Sequence, residues 1–79
     1  MNIPDSIYKL YDNGGRTFDR YAVLLKGTND YLTLSHNPDS LQGFSQMGRD
    51  YVKSESDKEI SWEQLPSSVQ KHICKRVQQ

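Results

Sequence analysis

The chain has 79 residues, ten basic and ten acidic side chains, a formal net charge of zero, and only 34% apolar residues at a mean hydropathy of −0.84. This length allows one domain with a small core, and the charge balance offers no overall attraction to nucleic acid or an acidic membrane. A single cysteine, Cys74, excludes an internal disulfide framework and a Cys/His metal set, and the longest apolar run, Tyr21 to Leu25, is far too short for a membrane span.

Met1–Ser6 is a polar lead containing Pro4, expected to be loose or an edge segment. Ile7–Tyr11 reads as a first strand. Asp12-Asn13-Gly14-Gly15 follows as the strongest turn signal of the chain, because paired glycines accept positive φ at little cost. Phe18–Lys26 reads as the principal strand, with Tyr21, Val23 and Leu25 on one face and Phe18, Ala22 and Leu24 on the other. Apolar residues on both faces predict a central strand covered on both sides. Gly27-Thr28-Asn29-Asp30 predicts a second hairpin turn, and Tyr31–Ser35 a third strand with Leu32 and Leu34 inward. Asn37-Pro38 ends that strand.

Asp39 or Ser40 can cap a short helical turn carrying Leu41, Phe44 and Met47, but Gly43 weakens it, so one helical turn or a structured loop closed by Gly48 is expected. Arg49–Val52 is expected to continue as a short strand and Lys53–Glu59 as a mobile charged loop. Ile60-Ser61-Trp62 reads as a brief strand or an entry segment. Ser61 and Gln64 have capping-box spacing and Pro66 suits a first helical turn, so Ser67–Val77 is predicted to be a helix with Val69, Ile73 and Val77 on one narrow face. The expected fold is α+β: a small antiparallel sheet of three or four strands with a C-terminal helix packed on one face. Its core candidates are Phe18, Tyr21, Val23, Leu25, Leu32, Leu34, Ile60, Trp62, Val69, Ile73 and Val77.

Few residues suggest chemistry. Asp12, Asp19 and His36 could be arranged as acid and base, but turn aspartates commonly bond their own backbone or a neighbouring arginine. Asp19 is expected to pair with Arg16 or Arg20. Gly14-Gly15-Arg16-Thr17 lacks the lysine spacing and following helix of a phosphate-binding loop. His72 and Cys74, two apart on one helix, do not face each other. Cys74 suits the edge of the buried face, and His72 is expected to be solvated. Tyr8, Tyr11, Phe18, Tyr21 and Tyr31 crowd the first two hairpins together with Arg16 and Arg20. Such a mixture packs across strands, anchors protein interfaces or stacks on bases. All ten acidic residues precede Ser67, whereas Lys71, Lys75 and Arg76 follow it. This basic end compensates the helix dipole or forms a contact patch.

The segments Tyr11-Asp12-Asn13-Gly14-Gly15-x-Thr17-x-Asp19-Arg20-Tyr21, Tyr31-Leu32-x-Leu34-Ser35-x-Asn37-Pro38 and Gln42-Gly43-Phe44-x-Gln46-x-Gly48 resemble a family of small proteins carried by phages, prophages and other mobile elements. The resemblance runs roughly from Tyr8 to Ile73, and Leu41 stands where the family pattern has a second proline. The family brings no assigned activity. Its company implies a non-enzymatic protein-binding module, an inhibitor or modulator of a host or defence protein of the anti-CRISPR kind, in the host cytoplasm. The alternative is a small nucleic-acid-binding protein using the aromatic–arginine hairpin and the basic helix end. No cofactor, metal or membrane is expected in either case. The candidate partner-binding residues are Arg16, Arg20, His36, Gln42, Phe44 and Gln46.

Overall fold

Alternating side chains and three glycine-containing turns draw the chain into one antiparallel sheet with a helix laid across it. The computed structural model describes residues 1–77. The strands are β1 (Ile7–Asp12), β2 (Tyr21–Leu25), β3 (Tyr31–Leu34), β4 (Ser45–Gly48) and β5 (Lys58–Ile60). A 3₁₀ turn at Trp62–Gln64 precedes the helix α1 (Ser67–Val77). The strand order is β4-β3-β2-β1-β5, so the first four strands form a meander and β5 pairs with β1 at the far edge. The fold is α+β as expected, with five strands rather than three or four.

The register sorts the side chains into two faces, because residues paired across strands point the same way. One set of rows holds Leu10, Val23 and Leu32 together with Tyr21 and Leu34. These residues meet Trp62, Leu65, Val69 and Ile73 from the 3₁₀ turn and α1 to form the core. Ile60, Cys74 and Val77 pack at its margin. Burial of Val69 and Ile73 at this four-residue spacing gives α1 its docking stripe.

The opposite face is crossed by residues 49–57, which carry the chain from β4 to β5. Tyr51 is their anchor. Its ring stacks on Tyr11 of β1 at 5.5 Å and meets Tyr31 of β3 edge-on at 5.2 Å. Since β2 lies between those strands, the ring passes over β2, where Ala22 is buried beneath the crossing. The predicted double coverage of the central strand is therefore present. Its second cover is a strap built on one tyrosine.

Several expectations are corrected. The principal strand begins at Tyr21, not Phe18, and Phe18 is 63% exposed rather than a core residue. The Arg20 amide donates to the Phe18 carbonyl at 3.0 Å, and this tight bend turns the ring outward. After Asp39 the chain takes the structured loop, not the helical turn, and Met47 lies in β4. The Gly43 amide donates to Ser40 O at 2.9 Å, and a Cβ at Gly43 would overlap the carbonyl oxygens of Asn37 and Pro38. The loop closes on its own backbone there, and the chain leaves it as β4. Arg49–Val52 is not a strand. Asp50 takes φ 59°, which breaks the extension of β4 and starts the strap. Lys58 and Glu59 belong to β5 rather than to a loop, paired with Asp12 and Tyr11.

The first residues are anchored rather than loose: Pro4 is buried, Lys26 N donates to Ser6 O at 2.8 Å, and the Trp62 indole donates to Met1 O at 2.8 Å. The Ser61/Gln64 pair caps the 3₁₀ turn rather than α1, with the Ser61 amide donating to Gln64 Oε1 at 2.7 Å. α1 starts after Pro66, and the Gln70 amide donates to Pro66 O at 3.0 Å.

Candidate partner-binding cleft

Two loops meet at the end of the sheet where β1 passes into β2 and β3 into β4. The first, residues 13–20, is tied by short polar side chains. Asp12 Oδ1 accepts the Gly14 amide at 2.7 Å, and Asn13 Oδ1 accepts the amides of Gly15 and Arg16 at 2.9 and 3.0 Å. These bonds wrap the backbone around two residues at positive φ, Gly14 at 77° and Gly15 at 84°. The Asn13 side-chain amide reaches Thr17 Oγ1 at 2.7 Å, and the Asn13 backbone amide closes the loop on Arg20 O at 3.0 Å.

Arg20 then returns to the loop's first residue. Its Nε and Nη2 donate to the two carboxylate oxygens of Asp12 at 2.8 and 3.0 Å. This fork holds the Asp12 carboxyl below the usual carboxylate range, chiefly through the hydrogen bonds from Arg20. The pairing expected for Asp19 thus belongs to Asp12, which the β1–β2 register sets opposite Tyr21, the residue that follows Arg20. The guanidinium also lies 5.3 Å from the Tyr21 ring centre. The Tyr21 hydroxyl sits 3.0 Å from His36 Nδ1, and burial raises its pKa above the ordinary tyrosine value.

The second loop, residues 35–44, is pinned by Ser35, which is only 1% exposed. The Phe44 amide donates to Ser35 Oγ at 3.0 Å and the Ser35 amide to Phe44 O at 2.9 Å. Between the loops lies an open cleft of about 490 Å³. Gly15, Arg16, Thr17, Phe18 and Arg20 form one wall; Ser35, His36, Asn37, Ser40 and Gln42 form the other. Among the described residues, no carboxylate lines it. The Arg16 side chain makes no hydrogen bond or ion pair among the described residues; only its backbone amide is engaged. Beside the cleft, Leu41 is 106% exposed between Ser40 and Gln42.

Four of the six candidate residues, Arg16, Arg20, His36 and Gln42, therefore come together. Phe44 is half-buried beneath their loop. Gln46 does not join them: it is exposed on β4, in the row of Tyr11, Ala22 and Thr33, on the strap's side of the sheet. Phe18 is the cleft residue that strand patterning assigned to the core. The signal for its true position is the local bend its neighbours make. Among the other aromatics, Tyr11, Tyr21 and Tyr31 pack, while Tyr8 is exposed at a bulge in β1.

A second polar cluster docks α1. His72 Nδ1 lies 2.8 Å from Asp39 Oδ1, and its Nε2 lies 2.8 Å from Ser45 Oγ, which also accepts Arg76 Nη1 at 2.9 Å. His72 is thus mostly covered rather than solvated, with 12% of its side chain exposed. The hydrogen bond from His72 lowers the Asp39 pKa. These contacts link α1 to β4 and to the cleft's second loop. Lys75 Nζ lies 3.9 Å from Asp39, so two of the three basic groups of the helix end, Lys75 and Arg76, face protein partners.

No family model, no curated protein and no solved structure matches this chain. Among the described residues, no helix is long and apolar enough to cross a membrane.

Proposed function

We propose that the protein is a binding module for another protein, engaging it through the cleft between the two loops. The observation that supports this reading is Phe18: a large aromatic 63% exposed on the wall of a cleft that it shares with Arg16 and Arg20. Aromatic and arginine side chains are the commonest energetic anchors of protein interfaces. The exposed Leu41 extends the apolar contribution at the cleft's edge. A wide opening with rigid walls suits a segment of a partner chain, because Asp12 fixes Arg20 and Ser35 fixes the second loop before any partner arrives. With the resemblance to mobile-element proteins, the partner class is a host or defence protein in the host cytoplasm, which the module inhibits or modulates.

The nucleic-acid reading has less support. Its basic helix end spends Arg76 on Ser45 and sets Lys75 beside Asp39, and three of its aromatics pack against protein.

The test is capture of a partner from host lysate followed by affinity measurement with purified components. Phe18→Ala is expected to weaken binding about tenfold or more, the scale of an interface anchor, with an unchanged melting temperature. Gln46→Ala, on the other side of the sheet, serves as the control. Full affinity of Phe18→Ala and Arg16→Ala for the captured partner would place the interface elsewhere and refute the reading.

A further inference from the structure

The cleft has a sign as well as a shape. Two arginines and a histidine line it, with no carboxylate among the described residues, in a protein whose net charge is zero. Arg20 has its charge matched from behind by Asp12, through Nε and Nη2. Its Nη1 takes no part in that fork, has no hydrogen bond to any described residue, and lies beside Gly15, 3.9 Å from where a Cβ of that glycine would stand. Arg16 has no matching acid at all among the described residues. His36 uses Nδ1 toward Tyr21, and its Nε2 has no hydrogen bond among the described residues. Donors therefore predominate where an occupant would lie, and guanidinium groups select carboxylates by geometry as well as charge.

We propose that the occupant is an acidic segment of the partner chain, with a carboxylate taken up by Arg16 and by Nη1 of Arg20, the nitrogen Asp12 does not use, and a neighbouring apolar side chain laid against Phe18. This inference rests on the protein-binding reading and adds the chemistry of the segment. A polyanion is disfavoured because the cationic site is confined to one cleft. Outside the cleft the ten acidic residues slightly outnumber the basic residues other than Arg16 and Arg20, so a long phosphate backbone gains no net attraction there, whereas a short acidic segment meets only the cleft. Phe18 gives the segment its second requirement, since an exposed ring beside an arginine favours a mixed acidic and apolar sequence over a purely charged one.

The experiment is a heteronuclear NMR titration of the whole chain with a capped peptide of alternating aspartate and leucine, its lysine-for-aspartate counterpart, and a thymidine oligonucleotide. The expected result is saturable shifts of the Arg16 and Arg20 side-chain Nε–H signals and of the 13–20 and 35–42 amides with the acidic peptide alone. Affinity should fall as ionic strength rises from about 10 to about 150 mM, over which the screening length shrinks from about 30 Å to about 8 Å. Arg16→Ala should weaken the acidic peptide about tenfold, and Arg16→Glu should make the lysine peptide the better ligand. Arg16 is exposed and its side chain is unbonded, so these variants keep the fold.

The proposal is overturned by equal binding of the acidic and lysine peptides, by an acidic-peptide affinity indifferent to Arg16→Glu, by tighter binding of the oligonucleotide at the same signals, or by no shift with any probe. Any of these results alongside loss of the captured partner in Phe18→Ala would leave the protein-binding cleft standing and remove only the acidic segment. Retention of that partner by both Phe18→Ala and Arg16→Ala would instead remove the cleft itself.

Discussion

The pair Asp12 and Arg20 is the joint on which the cleft's first wall depends, and removing it has a calculable effect. Asp12 accepts two hydrogen bonds from Arg20 and a third from the Gly14 amide. The side chains are 19% and 33% exposed, which places the pair between a surface ion pair and a buried one. Fully exposed pairs contribute about 0.2–1 kcal/mol and hydrogen bonds to charged groups about 1.5–3 kcal/mol. An intermediate coupling of about 1 kcal/mol is expected, with roughly another 0.5 kcal/mol for the Gly14 amide. Asp12→Ala should then lower the melting temperature by about 6–12 °C for a domain of this size. Asp12→Asn, which can still accept from Gly14, should lie between wild type and Asp12→Ala.

The assay is a double-mutant cycle of Asp12→Ala and Arg20→Ala by thermal and denaturant unfolding, repeated across pH. Because the folded Asp12 pKa is depressed, its contribution is complete above the unfolded value of about 4 and is lost as pH falls through the lower folded value. The gap between wild type and Asp12→Ala should therefore narrow below about pH 4. Additive single-mutant effects, or a gap that persists undiminished in strong acid, would refute the reasoning. The same geometry makes Arg20 a poor neutral probe of binding, whereas Arg16 and Phe18 carry no internal bond through their side chains.

Further outcomes are expected elsewhere in the fold. Gly43→Ala should destabilise by about 1–3 kcal/mol, because a Cβ there meets the backbone carbonyls of Asn37 and Pro38, and the loss is readable in urea unfolding. Tyr51→Leu removes contacts with both Tyr11 and Tyr31 and should cost about 1–3 kcal/mol. Tyr51→Phe loses only the 2.6 Å hydrogen bond to Asp57, about 1 kcal/mol, with faster amide exchange at Ser54. Burial raises the Tyr51 pKa, so that tyrosine's stabilisation should fade in strong alkali, above its ordinary value of about 10, in equilibrium unfolding. Ile73→Ala, at a fully buried position of α1, should cost about 2–5 kcal/mol and lower the denaturant midpoint accordingly.

The elements readable in the sequence are those whose own pattern determines them. Val69 and Ile73 at helical spacing predicted α1 to its bounds, and Leu32 and Leu34 predicted the inward face of β3. β4 was hidden, and β5 was legible only at Ile60, because Ser-Gln-Met-Gly and Lys-Glu-Ile lack apolar alternation. Each is an edge strand held by a neighbour's backbone. The strap was hidden for a similar reason: Tyr51 sits in a polar stretch and has meaning only once Tyr11 and Tyr31 are side by side. At the cleft, the glycine turn and both arginines were legible, since Asp-Asn-Gly-Gly encodes its own loop. The choice of Asp12 over Asp19 as the partner of Arg20 depends on the register of β1 and β2, in which Asp12 faces Tyr21. Phe18 was misassigned because strand alternation continues through it in sequence while the backbone bends at Arg20. His72 reaches Asp39 and Ser45 from 33 and 27 positions away, a contact no local pattern announces.

The most direct measurement of the central claim is a hydrogen-exchange footprint of the whole chain bound to its captured partner, compared with the unbound chain. New protection is expected at residues 14–18 and 36–42, the two walls of the cleft, with the strap around Val52 and the exposed face of α1 at Lys71 unchanged. Protection centred on the strap or on α1, with the cleft loops exchanging as in the unbound protein, would contradict the account.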